Sequence, residues 1–84
     1  MVTIWEKPNC TNCRIVQGVL RKEGIDFEVK QIFDDNGDML PEPKNLMEVH
    51  NLKAAPIVQS DHIVFGGLDK VKLDELIDWE RVWD

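Results

Sequence analysis

The chain has 84 residues, 43% of them hydrophobic, with 10 Lys and Arg against 16 Asp and Glu and a formal net charge of −6. That length suits one small domain over residues 1–84, and the hydrophobic share excludes a disordered chain, while no apolar run approaches the ~18 residues of a membrane helix. The acidic balance argues against nucleic acid, which needs clustered Lys and Arg, and reads as a solubilising surface ahead of one that meets a basic partner.

The chain starts at Met1–Glu6 without the basic and apolar stretches of a signal peptide, so the expectation is a cytoplasmic protein with no membrane contact. Val2-Thr3-Ile4-Trp5 reads as a short strand. Cys10-Thr11-Asn12-Cys13 follows where the extended run meets a helix, whose apolar stripe is Ile15, Val16, Val19 and Leu20. Gly24 comes soon enough after to be its C-cap residue. Ile25, Phe27 and Val29 alternate with Asp26, Glu28 and Lys30, predicting a half-buried strand that runs on to Ile32-Phe33. Strand, helix, strand implies a right-handed crossover and a parallel pair.

Asp34-Asp35-Asn36-Gly37-Asp38 is a turn, and Pro41 and Pro43 bar a regular element before Lys44. Leu46, Met47 and Val49 predict a short second helix ending near His50-Asn51. Ile57-Val58 and Ile63-Val64-Phe65 flank Gln59-Ser60-Asp61-His62 as a hairpin. Gly66-Gly67 breaks the last strand, and Asp69 is a good N-cap for a helix in which Leu73, Leu76, Ile77 and Val82 or Trp83 face one way. The order is βαβαββα, an α/β fold with a four-stranded mixed sheet and helices on both faces.

The cysteine pair carries the chemistry. Two sulfurs at this spacing can close a small disulfide ring and reopen it, and a CxxC near a βαβ pattern reads first as a redox motif. Backbone N–H groups in the first turn of a helix lack intrahelical partners, and with the dipole they favour negative charge by about 0.3–1 kcal/mol, and up to ~2 kcal/mol when partly buried. At ~1.4 kcal/mol per pKa unit this moves a thiol from ~8.5 towards ~7. Lys7 adds a positive charge, and both effects fall most directly on Cys10. Cys10 is therefore read as the attacking thiolate and Cys13 as the resolving thiol. A structural disulfide would remove little entropy from so short a loop. A zinc site would need His50 and His62, at unsuitable spacing, and two incidental buried cysteines sit poorly in so polar a segment.

Lys7-Pro8-Asn9-Cys10-Thr11-Asn12-Cys13, Ala55-Pro56-Ile57-Val58 and Gly66-Gly67-Leu68-Asp69, in this order, resemble the glutaredoxin branch of the thioredoxin fold over almost the whole chain. Lys-Pro-x-Cys-x-x-Cys and Ala-Pro-x-Val are most similar to NrdH-redoxins, small glutaredoxin-like proteins that reduce ribonucleotide reductase. The resemblance implies a cis Pro56 facing the CxxC loop, with Ala55 offering backbone N–H and C=O to an extended substrate. It sets Lys7 beside the nucleophile and counts Thr11 and Asn12, between the cysteines, among the substrate contacts. It also matches Gly66, Gly67, Leu68 and Asp69 to the segment with which glutaredoxins hold the γ-glutamyl end of glutathione.

Two departures stand out. Val64-Phe65-Gly66-Gly67-Leu68-Asp69 replaces the Trp-Ser-Gly-Phe-x-Pro usual in NrdH-redoxins, and Thr11-Asn12 replaces the Pro-Tyr common in glutaredoxins. Trp79 and Trp83 are read as core residues ahead of a partner-facing aromatic pair. The expected function is thiol–disulfide oxidoreductase, a monomeric dithiol donor to a disulfide-bearing protein such as ribonucleotide reductase. No cofactor is tightly bound beyond the redox-active disulfide, and the electrons come from thioredoxin reductase or from glutathione as co-substrate. The alternatives are a general glutathione-dependent glutaredoxin and, from another class, a metal or iron–sulfur carrier.

Overall fold

The first strand sorts its side chains to two faces, and the rest of the fold packs onto both. The computed structural model describes residues 1–82. In chain order it contains β1 (Val2–Glu6), α1 (Thr11–Lys22), β2 (Phe27–Gln31), α2 (Pro41–Val49), β3 (Ile57–Gln59), β4 (Val64–Gly66) and α3 (Lys70–Val82). The sheet order is β2-β1-β3-β4. β1 runs parallel to β2, with Val2 opposite Phe27 and Glu6 opposite Gln31, and antiparallel to β3, which pairs antiparallel with β4. This is the expected βαβαββα mixed sheet.

Val2 and Ile4 join Val58 and Phe65 against Val16 and Leu20 of α1 and Leu73, Leu76 and Ile77 of α3. Trp5 and Ile57 point the other way and pack with Ile32, Leu46, Met47 and Leu52. One apolar layer therefore lies under α1 and α3, the other under α2. Helices cover both faces, as expected.

The stripe of α1 is rotated from the expected one. Its buried residues are Cys13, Val16, Gln17 and Leu20, whereas Ile15 is 42% exposed and Val19 only partly buried. The inward position next to Val16 belongs to a polar residue because Gln17 has a partner there. Its amide donates to a Glu6 carboxylate oxygen at 3.0 Å, and the other oxygen accepts from Gln31 at 3.1 Å. One carboxylate thus ties α1 to the β1–β2 pair. The helix closes with a Schellman motif, with Gly24 one residue past the Glu23 C-cap at φ 72°. The Gly24 and Ile25 N–H groups donate to the carbonyls of Arg21 and Leu20.

Other expectations are corrected. Pro41 and Pro43 do not bar a helix; they begin one, because first-turn N–H groups have no intrahelical partner to lose, and Pro43 is fully buried. Val49 is exposed on α2. β2 starts at Phe27 and stops at Gln31, and as an edge strand it leaves most of its residues exposed. Phe33 instead forms an isolated antiparallel bridge with Met39 across the Asp34–Asp38 turn. Gly66 is still in β4, and the break comes at Gly67, φ 75°.

On α3, Leu73, Leu76 and Ile77 are buried as expected, but Val82 is 72% exposed. Trp79 is not a core residue. It is 41% exposed and stacks on His62 with ring centroids 4.5 Å apart. Trp83 lies outside the described residues. Among the described residues no helix is long and apolar enough to cross a membrane.

The helix phase gives a direct test. Leu76→Ala opens a cavity in a fully buried position and should lower the unfolding free energy by about 2–5 kcal/mol. Ile15→Ala should change it by no more than about 0.5 kcal/mol. Urea unfolding of both variants measures this, and a large loss for Ile15→Ala would contradict the rotated stripe.

Candidate active site

Asn9, at φ 57°, turns the chain between β1 and α1, a left-handed conformation that asparagine tolerates better than most residues. The next residue, Cys10, is the N-cap of α1, one position before the helix proper. Its sulfur accepts the Cys13 N–H at 3.1 Å, and its carbonyl accepts the Arg14 N–H at 3.4 Å. Cys10 and Cys13 are joined as a disulfide, with Cα atoms 5.3 Å apart. Cys13 is fully buried, and Cys10 is 7% exposed. Of the two sulfurs, Cys10 belongs to the residue that borders open space. No acidic residue stands in the first turn to oppose negative charge there.

That open space is a cleft of about 480 Å³. Lys7, Cys10, Thr11 and Asn12 line one side of it, and Lys53, Ala54 and Ala55 line another. The Ala55–Pro56 peptide is cis, as the resemblance implied. Ala55 lines the cleft, but Pro56, expected to face the CxxC loop, does not; it is fully buried, its carbonyl accepting the Gly67 N–H at 2.8 Å.

Gly66, Gly67, Leu68 and Asp69 do not line this cleft. A Cβ on Gly66 would fall 3.0 Å from the Ala54 carbonyl oxygen and 3.2 Å from Leu52 Cβ. One on Gly67 would fall 3.2 Å from Ala54 Cβ. The close approach that the glycine pair permits is to the chain's own 52–54 segment, the segment that edges the cleft. Leu68 is exposed, and Asp69 is the expected cap of α3, its Oδ1 accepting the Lys72 N–H at 3.1 Å.

The remaining lining escaped the sequence. Ile32, Phe33, Met39 and Met47 form an apolar side, and Lys53 adds a second cation. Ile32-Phe33 had the look of strand core, Met47 of a helix stripe, and nothing marked Met39. Among the described residues, no group of three or more His, Cys, Asp or Glu could hold a metal ion.

No family model matches the chain. A glutaredoxin-like protein NrdH from Lactococcus lactis is 30% identical over 76 residues, which span 90% of this chain and 99% of that one. The chain belongs to the glutaredoxin-like NrdH family. Among solved structures, the NrdH-redoxin of Escherichia coli superposes with a TM-score of 0.70 at 20% identity, covering 89% of this chain and 92% of that one. A wheat glutaredoxin gives a TM-score of 0.76 at 19% identity, covering 99% and 80%. Both share the fold. This glutaredoxin-like chain is a thiol–disulfide oxidoreductase, and its redox-active disulfide is Cys10–Cys13.

In this glutaredoxin-like chain the cap of α3 can be weighed by itself. Asp69→Ala should cost about 1 kcal/mol of stability, while Asp69→Asn, an equally good N-cap, should cost only a few tenths. Thermal unfolding of the two variants separates them, and equal losses would deny Asp69 the capping role.

Proposed function

We propose that the chain is a dithiol electron donor that reduces a disulfide in a partner protein, with ribonucleotide reductase as substrate and thioredoxin reductase as electron source. The observation that carries the reading is the arrangement of the pair: Cys10 at the N-cap, bordering the cleft, with Cys13 buried behind it. In the reduced protein the Cys10 thiolate attacks one sulfur of the substrate disulfide. The substrate's other sulfur leaves as a thiolate and takes up a proton. Cys13, deprotonated, then attacks Cys10, releases the substrate's first sulfur as a second thiol and closes the ring. Two electrons and two protons pass to the substrate.

The Cys13 N–H already directed at Cys10 Sγ stabilises the thiolate, and Lys7 on the same cleft adds an opposite charge. Ala55 offers its backbone to the substrate segment, with Thr11 and Asn12 facing it. A reduction potential of about −200 to −270 mV, the range between glutaredoxins and thioredoxin, suits this role. The cytoplasm is the compartment where such a pair can be returned to the dithiol state.

Two observations support thioredoxin reductase as donor. The NrdH-redoxin of Escherichia coli is described as having a thioredoxin-like activity profile. In this chain, the glycines that would admit glutathione are packed against residues 52–54. The second reading is a glutathione-dependent glutaredoxin. It draws on Gly66-Gly67-Leu68-Asp69, where the exposed Asp69 carboxylate could meet a γ-glutamyl ammonium.

Cys10→Ser should abolish reduction of protein disulfides, whereas Cys13→Ser should accumulate a mixed disulfide on Cys10. Mass spectrometry of the trapped species decides, and trapping on Cys13 would reverse the two roles.

NADPH oxidation coupled through thioredoxin reductase, or through glutathione and glutathione reductase, identifies the donor. On the preferred reading the first system turns over faster. If glutathione is the donor, Asp69→Asn should slow that system about tenfold, the ~1.4 kcal/mol of one charged hydrogen bond. Failure of both systems would refute the proposed role.

A further inference from the structure

The apolar side of the cleft is built on a closed hairpin. Phe33 and Met39 face each other as an isolated bridge pair. Between them, the Asp34 N–H donates to the Asp38 carbonyl at 2.8 Å, and the Asp34 carboxylate accepts the N–H groups of Asn36 and Asp38 at 2.9 and 3.0 Å. Below the bridge, the Leu40 N–H donates to the Ile32 carbonyl at 2.8 Å. Met47 adds a third apolar side chain from α2, and all three border the same cleft as Cys10. Met39 is 36% exposed, so this wall is open to a visitor.

We infer that Phe33, Met39 and Met47 form a side-chain pocket that selects the protein substrate. Its occupant is an extended disulfide-bearing segment with a large apolar residue two positions from the attacked cysteine. The inference rests on the reading of Cys10 as the attacking sulfur. In an extended segment, residues i and i+2 share a face, so a cysteine engaged at Cys10 turns its second neighbour towards the same cleft. Two thioether side chains in the wall adapt to Leu, Ile, Phe or Met rather than to one shape.

Charge favours an apolar over a basic residue there. The cations of this cleft are Lys7 and Lys53, whereas Asp34 and Asp35 line the neighbouring hollow beside Pro8.

The test uses the pre-reduced protein and peptide dimers joined by one central disulfide, with Phe, Leu, Ser or Lys at +2 or −2 and alanine elsewhere. Single-turnover rates are each divided by that protein's rate with bis(2-hydroxyethyl) disulfide, which has no side chain to place. The Phe and Leu peptides should be reduced at least about tenfold faster than the Ser and Lys peptides at one of the two positions. In Phe33→Ser this preference should fall below about twofold. Met39→Glu should raise the relative rate with the Lys peptide, a gain that loss of folding cannot produce.

Equal rates for all peptides with the unaltered protein overturn the inference. So does a preference retained in Phe33→Ser, or no gain with the Lys peptide in Met39→Glu. If the protein fails to reduce bis(2-hydroxyethyl) disulfide, the proposed dithiol chemistry itself falls, and the inference with it.

Discussion

The N–H groups of the first turn of α1 have no carbonyl of their own helix to meet, and the chain sets sulfur against them. Cys10 Sγ takes the Cys13 N–H that an oxygen takes at most helix starts. In the disulfide this sulfur is a weak acceptor, and a thiolate at the same position would accept the same N–H more strongly. The other end of α1 is closed by backbone alone, through the Schellman motif at Gly24. Between the ends, Glu6 holds Gln17 and Gln31, so the helix cannot rotate without breaking the link to β1 and β2.

The second wall of the cleft depends on the opposite half of the chain. The Gly67 N–H anchors the Pro56 carbonyl, and Gly66 leaves just enough room for the Ala54 carbonyl and Leu52 to come close. This stacking sets Lys53, Ala54 and Ala55 at the rim facing Cys10. The glycine pair thus shapes the active site from behind whether or not it ever touches glutathione. In this chain the segment has a mechanical role, holding residues 52–56 in place.

Features written in adjacent residues were legible. The strand at Val2–Trp5, the cysteine pair at a helix start, the parallel crossover and the Asp69 cap each depend on a few neighbours and a fixed period. The phase of α1 was not legible, because the partner that draws Gln17 inward is Glu6, on the other side of the Cys10 turn. Pro41 and Pro43 misled for a related reason: proline forbids a helix interior but suits a helix start, and only the surrounding fold says which end is present. Of the residues lining the cleft, Lys7, Cys10, Thr11, Asn12 and Ala55 stand in the motifs that the sequence singles out. Phe33 and Met39 do not, since it is the Asp34–Asp38 turn that brings them together.

The sheet ends in two edges, β2 and β4, and they are blunted by different means. β4 has three residues and stops at a glycine in a left-handed conformation, which leaves little for another strand to align on. β2 is longer and exposed, but it carries Glu28 and Lys30, which pair at 3.7 Å on its open surface. Charged side chains on an edge penalise a second strand laid beside it. Strand addition by a second copy is thus disfavoured at both edges, by shortness at β4 and by charge at β2.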